Sequence, residues 1–468
     1  MNYLINKRLK IFFTTYLFLN SAAFAIQSLL PSYINYKQSE ALSTRVDDGP
    51  WCNPQTQGIN VHCFGDFYYN FPLANIDNPW GSKFNPYPPI ATFFYKPFVL
   101  IENTFPGSRY ALALYLLLSI ACIVFPTLHS LKNKNISPIS ATVLIAVSIT
   151  AAPAIMAFDR GNIQLILIPF VYLFCISVLE SRENSTIFWG IILILFKPQF
   201  ALLGLIFLSG RNWKAILKWV VYGFSSFLAT FILYPRDLLG NIADYFSDFF
   251  AYQNFTNAGS LEPANLSLAS TWSTIERFIV TLFPQLSEKD PIGKWNFYSN
   301  RITLIIIIMV ICNFIIYGEK RSKIQNLLLV LCLPIILPNV VFSYYLCLLL
   351  PILLIALIEF FNITKVDGKV ERFAENGYLG TFLYLFEKKS VYLLFSASFF
   401  FLFIPWGIPW KIFHYFESER WSTIGINWFI GQVFLQLLFF ALLNPGAIIG
   451  SFSIKKTLSK TIRIVRNH

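Results

Sequence analysis

Long apolar runs recur along the whole chain, and they constrain its fold more than any other feature. Of the 468 residues, 56% are hydrophobic and only 13% are charged, which is about half the charged fraction of a soluble domain. A helix that crosses a bilayer needs about 20 mostly apolar residues, and runs of that kind return repeatedly. The sequence therefore predicts an all-α polytopic membrane protein in which the whole chain, 1–468, forms one transmembrane bundle.

The placement of the charges predicts how the chain is oriented. The net charge is +12, and basic residues gather at both ends. Lys7, Arg8 and Lys10 precede the first apolar run, and the tail 446–468 carries basic residues without an acid. Basic clusters beside apolar runs are typical of cytoplasmic segments. We therefore expect both termini in the cytoplasm, no nucleic-acid partner and, because the abundance of Lys, Asn, Ile and Phe is typical of AT-rich bacterial genomes, a multi-pass protein of the bacterial plasma membrane.

Alternating the direction of successive runs predicts about ten transmembrane helices. Two polar segments, 32–109 and 235–301, then lie outside, with six acids against five bases and seven acids against five bases, respectively. The segment 363–389 lies in the cytoplasm. Because polar residues gather in the two outward loops, we expect the working face outside. The predicted spans are 9–31, 110–128, 136–157, 163–180, 214–234, 302–318, 324–338, 340–362, 390–406 and 423–444.

The run 186–208 is long enough to cross the membrane but is interrupted by the motif KPQ at 197–199. Proline breaks the helical hydrogen bonding, and a charged residue at membrane depth must face protein or a water-filled cavity. Basic residues between 211 and 218 then favour the cytoplasm again. These features predict a re-entrant hairpin with Lys197 at its tip, because irregular backbone at that depth is tolerated only where it is buried or lines a cavity.

Two of the seven cysteines are candidates for a disulfide. Cys52 and Cys63 share the first outward loop, where an oxidising compartment would favour a bridge; the alternative is two free thiols. The other five lie in apolar runs, where cysteine is a packing residue. The four histidines lack the spacing of metal ligands, and the chain has no phosphate-binding P-loop motif. We therefore expect neither a metal nor a cofactor.

Three polar positions on the outer side are candidates for chemistry. Asp66, beside two tyrosines, could accept a proton from a hydroxyl if it is partly desolvated, although a solvated loop acid or a helix cap explains it equally well. Arg160 precedes a predicted helix start and could hold a phosphate; the alternative is an ion pair with Asp159 that caps a turn. Lys197 needs a partner at membrane depth, which is an anionic ligand or a carboxylate of a neighbouring helix, unless its ammonium group snorkels to the interface.

Four short motifs in this order resemble glycosyltransferase family 87, over about residues 10–360. They are Asp66 with Tyr68 and Tyr69, NPYPP at 85–89, RGN at 160–162 and KPQ at 197–199. The resemblance implies a GT-C-like bundle and an activity like that of the α-mannosyltransferases that use polyprenyl-phosphate sugars. It also implies that the acid of the first outward loop, here Asp66, is the catalytic base and that the lipid-linked donor enters from the outer leaflet.

We expect further polar side chains in and near these motifs to contact the substrates. Those expected at the donor phosphate are Arg160, Asn162, Gln164, Lys197, Gln199 and Tyr87. Those expected to position the substrates are Tyr68, Tyr69, Asn85, Asn265, Tyr344 and Tyr345. The chain departs from the family after Pro338, where a histidine often follows a proline and Asn339 stands here. This departure leaves open which residue holds the donor phosphate and which sugar is used.

These features together predict an inverting glycosyltransferase that moves a sugar, most simply mannose, from a polyprenyl monophosphate to a hydroxyl group of an envelope glycan or glycolipid on the outer face. Such an enzyme needs no metal, because two cations can offset the charge of the leaving phosphate. The expected partners are the lipid-linked donor, the glycan or glycolipid acceptor and membrane lipid. The alternatives are a lipid or polysaccharide transporter or flippase, a polymerase or ligase that uses a diphosphate-linked glycan, and a non-catalytic scaffold.

Overall fold

The chain forms a bundle of helices, and nearly every described residue is helical. The computed structural model describes residues 11–23, 64–81, 85–105, 108–134, 137–259, 291–338, 343–364, 389–403, 409–415 and 418–443. The described residues do not include the predicted disulfide partners Cys52 and Cys63, the predicted site residue Asn265, the departure from the family at Asn339, the tail 446–468 or most of the segment 363–389.

Helices follow one another along the described chain. The α-helices are α1 Ile11–Ala23, α2 Gly65–Leu73, α3 Pro89–Phe93, α4 Lys96–Thr104, α5 Ser108–Lys134, α6 Pro138–Thr150, α7 Ala152–Asp159, α8 Gln164–Leu179, α9 Glu183–Phe196, α10 Trp213–Ala229, α11 Leu238–Gly259, α12 Pro291–Tyr317, α13 Lys323–Ile336, α14 Leu350–Thr364, α15 Lys389–Phe403 and α16 Ile426–Leu443. The 3-10 helices are Pro198–Gly210, Thr230–Leu233, Pro235–Asp237, Gly318–Lys320 and Ser343–Leu349.

One short antiparallel strand pair is the exception to the helical fold. The strands β1 Pro409–Tyr415 and β2 Ser418–Gly425 pair with each other between the predicted spans 390–406 and 423–444. The second strand occupies the first residues of the predicted span 423–444, so helix α16 begins at Ile426. The hydrophobic periodicity of the sequence did not predict this strand pair.

Among the described residues, three helical segments are long and apolar enough to cross a membrane: Tyr110–Leu131, Trp213–Leu233 and Thr303–Lys320. Helices α6 and α7 would make a fourth span, although they meet at a bend of 59°. Pro153 lies in the first turn of α7, and proline cannot continue the hydrogen bonding of a preceding helix. Shorter apolar helices occupy most of the other predicted spans. The chain is a helical membrane protein, and the total of ten spans stays a prediction.

Helices α8 and α13 form the centre of the bundle. Their buried residues lie on every side of the helix axis, as is typical of a helix that other helices surround. By contrast, α5, α10 and α12 each expose large apolar side chains such as Leu117, Val220 and Ile305. Those surfaces suit contact with lipid chains, because burying apolar area away from water is favourable.

The KPQ motif separates two helical arms, and the start of the first arm lies close to the end of the second. Lys197 has extended backbone (φ −150°, ψ 111°) between α9 and the 3-10 helix Pro198–Gly210. After that 3-10 helix, the amide of Asn212 donates to the Glu183 carboxylate at the start of α9 over 2.8 Å. Lys218 donates to the same carboxylate over 2.8 Å. The arms therefore form a hairpin with Lys197 at its tip, whose placement in the membrane stays a prediction.

The side chain of Trp219 fastens the hairpin to α10. Its indole N–H donates to the Ala201 carbonyl over 3.1 Å. A Cβ atom at Gly190 would lie 2.2 Å from the indole ring, and one at Gly204 would lie 2.3 Å from its nitrogen. Both arms therefore need glycine where the indole crosses them, because no side-chain atom fits there.

A second, smaller apolar cluster joins the two segments that are predicted to lie outside, 32–109 and 235–301. Trp80 packs against Phe231 of the 3-10 helix Thr230–Leu233, against Tyr234, which follows it, and against Tyr245 of α11. Two acids one turn apart on α11 continue this contact, because Asp244 accepts from the Asn78 amide and Asp248 accepts from the backbone N–H of Asn85. The NPYPP segment is therefore held by helix α11 of the segment 235–301.

Candidate active site

Asp66 lies in the first turn of α2, where the backbone fixes its position. Its N–H donates to the Arg160 carbonyl over 3.0 Å, and its own carbonyl accepts from the Asn70 amide over 2.7 Å. The neighbouring Phe67 is fully buried and packs against Tyr95 and Tyr115. The helix that carries Asp66 is thus attached both to the core and to the turn at Arg160.

The carboxylate of Asp66 is held by two side chains of the RGN motif. Arg160 donates from Nε to Oδ2 over 3.1 Å and from Nη2 to Oδ1 over 3.0 Å. The Asn162 amide donates to Oδ2. Since a carboxylate oxygen accepts about two hydrogen bonds, these contacts fill Oδ2 and leave one acceptor position on Oδ1. The Asp66 side chain is 15% exposed, so a ligand can reach it.

The turn between α7 and α8 presents Arg160 and Asn162 to Asp66. Gly161 has a positive φ of 59°, and a Cβ atom there would lie 2.9 Å from Cβ of Phe67. Only glycine therefore allows α2 to approach this turn so closely. Asn162 also accepts from the N–H of Gln164 over 2.9 Å, at the start of α8. Burial by itself lowers the pKa of the Arg160 guanidinium, but the Asp66 carboxylate and its hydrogen bonds raise that pKa above the ordinary value.

Lys197 is a buried cation whose described neighbours include no carboxylate within ion-pair distance. Its side chain is 5% exposed. The ammonium group donates to the Tyr345 hydroxyl over 2.9 Å and lies 4.2 Å from the Tyr345 ring centre and 5.7 Å from that of Tyr87. Contacts with aromatic rings stabilise a desolvated cation by about 2 kcal/mol, which is less than the several kcal/mol that burying an ion costs. Lys197 therefore offers its charge to an anion that enters this space.

Two adjacent tyrosines connect the two cations. The Arg160 guanidinium lies 5.3 Å from the ring centre of Tyr344, and Lys197 contacts Tyr345. The two rings stack with centres 5.3 Å apart. The start of the 3-10 helix Ser343–Leu349 thus brings the RGN and KPQ motifs to one cluster with Asp66, which we call the Asp66–Lys197 cluster: Asp66, Arg160, Asn162, Lys197, Tyr87, Tyr344 and Tyr345.

The NPYPP segment fixes Tyr87 in this cluster. Asn85 is fully buried, and its amide donates to the Pro79 carbonyl and to the Thr92 hydroxyl over 3.2 and 3.3 Å. Its side-chain oxygen accepts from the N–H of Tyr87 over 3.1 Å, while the Tyr87 carbonyl accepts from the indole of Trp80. Asn85 therefore shapes the backbone rather than presenting its amide to a substrate.

The remaining predicted residues that the structure describes are Tyr68, Tyr69, Gln164 and Gln199, and of these Gln164 donates its backbone N–H to Asn162 of the cluster. Tyr68 packs against Phe67, and Tyr69 is 44% exposed. Burial and then the Asp248 carboxylate raise the pKa of Tyr69. Both polar atoms of the buried Gln164 amide, and Nε2 of Gln199, have no hydrogen-bond partner among the described residues. Among those residues there is also no group of three potential metal ligands, and the absence of a metal stays a prediction.

Sequence reasoning missed Asp248, which is 2% exposed. Through the Asn85 N–H it holds the segment that positions Tyr87, and it lies close enough to affect Tyr69. The spacing of Asp244 and Asp248 by one helical turn in an outward segment was the available signal, because residues four apart share a helix face.

One comparison with known proteins gives a match. The model of glycosyltransferase family 87 matches residues 85–338. No curated protein and no solved structure matches the chain. The matched range contains NPYPP, RGN and KPQ and ends at Pro338, whereas Asp66 precedes it and joins the cluster only through the fold. Because the match covers more than half of the chain, this membrane protein belongs to glycosyltransferase family 87.

Proposed function

We propose that the chain is an inverting glycosyltransferase that moves a sugar, mannose in the simplest case, from a polyprenyl monophosphate to a hydroxyl group of an envelope glycan or glycolipid. The reaction takes place on the outer face of a bacterial plasma membrane, with both termini in the cytoplasm and without a metal. The observation that carries the proposal is the meeting of a carboxylate and a guanidinium that are both partly exposed with one buried ammonium group in the Asp66–Lys197 cluster.

Asp66 is the general base in this proposal. The Arg160 guanidinium and the Asn162 amide orient its carboxylate. The free hydrogen-bonding position on Oδ1 accepts from the hydroxyl group of the substrate that receives the sugar. The acceptor oxygen forms its bond to the anomeric carbon as its proton passes to Asp66, and the bond between that carbon and the phosphate oxygen breaks. One displacement of this kind inverts the anomeric centre.

Lys197 binds the donor phosphate and offsets the charge that develops as the phosphate leaves. It is better suited to this role than Arg160, because two N–H groups of the Arg160 guanidinium already donate to Asp66. Among its described neighbours, Lys197 contacts only a hydroxyl group and two aromatic rings. Preorganised cations near a leaving group stabilise the transition state without rearrangement. Tyr87 and Tyr345 hold the ammonium in place.

The test is sugar transfer by purified protein in liposomes, with a panel of radiolabelled polyprenyl-phosphate sugars, a bacterial lipid extract as acceptor source and a chelator present. Asp66→Asn should lower transfer by about 10²- to 10⁴-fold, the usual contribution of a general base, while donor binding is retained. Asp77→Asn is the matched control, because Asp77 is an exposed acid of the same outward segment.

Equal transfer by wild type and Asp66→Asn would remove Asp66 from the mechanism. Absence of transfer from every monophosphate donor would reject the proposed donor class, and loss of activity in the chelator would reject the metal-free mechanism. If Asp66→Asn loses donor binding as well as sugar transfer, Asp66 is a positioning residue for Arg160 instead of the base.

A further inference from the structure

Helix α11 lies along the part of the segment 32–109 that leads to the Asp66–Lys197 cluster. Its Asp244 carboxylate accepts from the Asn78 amide over 2.7 Å. One turn later, the Asp248 carboxylate accepts from the backbone N–H of Asn85 over 3.3 Å. Residues four apart share a helix face, so the next residue on this face is Tyr252, about 6 Å further along the axis.

Tyr252 lies close to the charged groups of the cluster. Burial raises the pKa of its hydroxyl group, Tyr345 and the Asp66 carboxylate raise it further, and the Arg160 guanidinium lowers it. The interaction of two charges weakens with distance, so these effects place the hydroxyl group near Asp66, Arg160 and Tyr345. Because its pKa is raised overall from an ordinary value of about 10, Tyr252 keeps its proton at neutral pH and can donate a hydrogen bond.

The transferred sugar occupies the same region in the proposed reaction. The donor phosphate lies at Lys197 and the receiving oxygen at Asp66, so the sugar ring lies between these two side chains. Tyr345 accepts from Lys197 over 2.9 Å, and Tyr252 lies near both Tyr345 and Asp66. A tyrosine in this position can place its ring against the apolar face of the sugar and donate its O–H to a sugar hydroxyl, because it joins a large apolar surface to a polar end.

We propose that Tyr252 binds the sugar of the lipid-linked donor and contributes to the choice of that sugar. This role rests on the proposed function, which supplies the positions of the phosphate and the base. The Tyr252 O–H donates to one hydroxyl group of the sugar, while Asp248 holds α11 against the NPYPP segment through Asn85. A site that pairs with a substrate hydroxyl disfavours an analogue without it, since the polar group of the site then loses its partner.

The test removes one hydroxyl group from the enzyme and one from the donor. Transfer in liposomes is measured with polyprenyl-phosphate mannose and with analogues that lack the sugar hydroxyl at C2, C3, C4 or C6. For one of these analogues, the loss of kcat/KM relative to the parent donor should be about three- to tenfold smaller in Tyr252→Phe than in the wild type, as expected when the two hydroxyl groups share one neutral hydrogen bond. Comparing the two proteins with the same analogue cancels the effect of the missing hydroxyl on the chemistry itself.

Tyr245→Phe is the matched control. It makes the same change on the same helix, but Tyr245 packs against Trp80 and Phe231 in the second apolar cluster, so its pattern of losses should equal that of the wild type. Thermal unfolding scans compare the stability of the variants, and Tyr252→Leu supplies a second variant without the hydroxyl group. If both Tyr252 variants lose as much with every analogue as the wild type does, Tyr252 does not bind the sugar.

Donor binding without an acceptor supplies a readout that does not need transfer. Dissociation constants from native mass spectrometry should show the same smaller loss in Tyr252→Phe for the same analogue. If the wild type transfers no sugar, the proposed function fails, and the binding constants still test Tyr252. Equal discrimination among the donors by the wild type and by Tyr252→Phe would overturn the proposal for Tyr252 while leaving the proposed function in place.

Discussion

At the scale of single residues, the two cations of the Asp66–Lys197 cluster, Arg160 and Lys197, differ in the groups that they contact. Arg160 makes two hydrogen bonds to Asp66. It therefore orients the proposed base, and the carboxylate partly neutralises the positive charge of the guanidinium. Lys197 meets a hydroxyl and two aromatic rings. A donor phosphate therefore finds its stronger attraction at Lys197, and substitutions of the two cations should have different kinetic effects.

Substitution of Lys197 tests its role at the phosphate. Lys197→Met keeps the length and apolar stem but removes the charge, so we expect kcat/KM for the lipid-linked donor to fall by about 10²- to 10³-fold, as when a preorganised transition-state donor is lost. Because an uncompensated buried charge disappears, the thermal stability should not fall. The measurement is steady-state transfer together with a thermal unfolding scan.

The matched control for that substitution is Lys96→Met. Lys96 lies near the Phe93 ring, with 5.6 Å from its nitrogen to the ring centre, but it is outside the Asp66–Lys197 cluster. This variant should keep its activity within a few-fold. A stability loss in Lys197→Met with unchanged kcat/KM would assign Lys197 to folding instead of donor binding.

At the scale of elements, the site is built from helix ends and from the tip of the hairpin. The first turn of α2 places Asp66, the turn between α7 and α8 places Arg160 and Asn162, and the end of α9 places Lys197. Helix ends can present polar groups to a ligand because their backbone hydrogen bonds are incomplete. The position of Lys197 depends in addition on how the two hairpin arms pack against Trp219.

The packing of Trp219 gives an element-scale prediction. Gly204→Ala would place a Cβ atom 2.3 Å from the indole nitrogen, so the indole must move and the 3-10 arm with it. Overpacking of this kind costs about 1–3 kcal/mol. We expect a lower unfolding temperature and a lower rate of transfer, since the arm carries Lys197 at its tip.

Gly210→Ala provides the comparison for Gly204→Ala. A Cβ atom at Gly210 would meet no other atom within 4 Å, although the residue lies in the same 3-10 helix. This variant should unfold and react like the wild type. If both variants behave alike, the close contact of Trp219 with the arm does not determine the position of Lys197.

At the scale of the whole molecule, the hydrogen bond between Asn212 and Glu183 decides the topology that we expect. The chain leaves this point through α9, turns at Lys197 and returns through the 3-10 helix. A single crossing by residues 183–210 would instead place the two residues on opposite sides of the membrane, which their contact does not allow.

Reporter fusions test this topology in cells. Fusions of a fluorescent protein or of alkaline phosphatase after Arg182 and after Asn212 should report the same side, the cytoplasm, and fusions after Asp237 should report the outside. Opposite results for the fusions after Arg182 and Asn212 would show a single crossing and would reverse the predicted orientation of every later helix.

The sequence predicted those features that depend on local pattern. Apolar runs located the helices, because a long apolar segment must satisfy its backbone polar groups internally in a membrane. Proline and lysine together predicted the break at 197–199, and the RGN motif was recognised before a helix start. The strand pair at 409–425 and helix α11 were not predicted, since neither has a long apolar run.

Tertiary structure alone decided which of these local features meet. Asp66 contacts Arg160 across 94 residues of sequence, and Lys197 contacts Tyr345 across 148. Asp248 joined the site by contact with Asn85. A local pattern records whether a segment prefers lipid, helix or turn. It does not record which distant side chains will pack together, because that choice depends on the shapes and charges of all the helices at once.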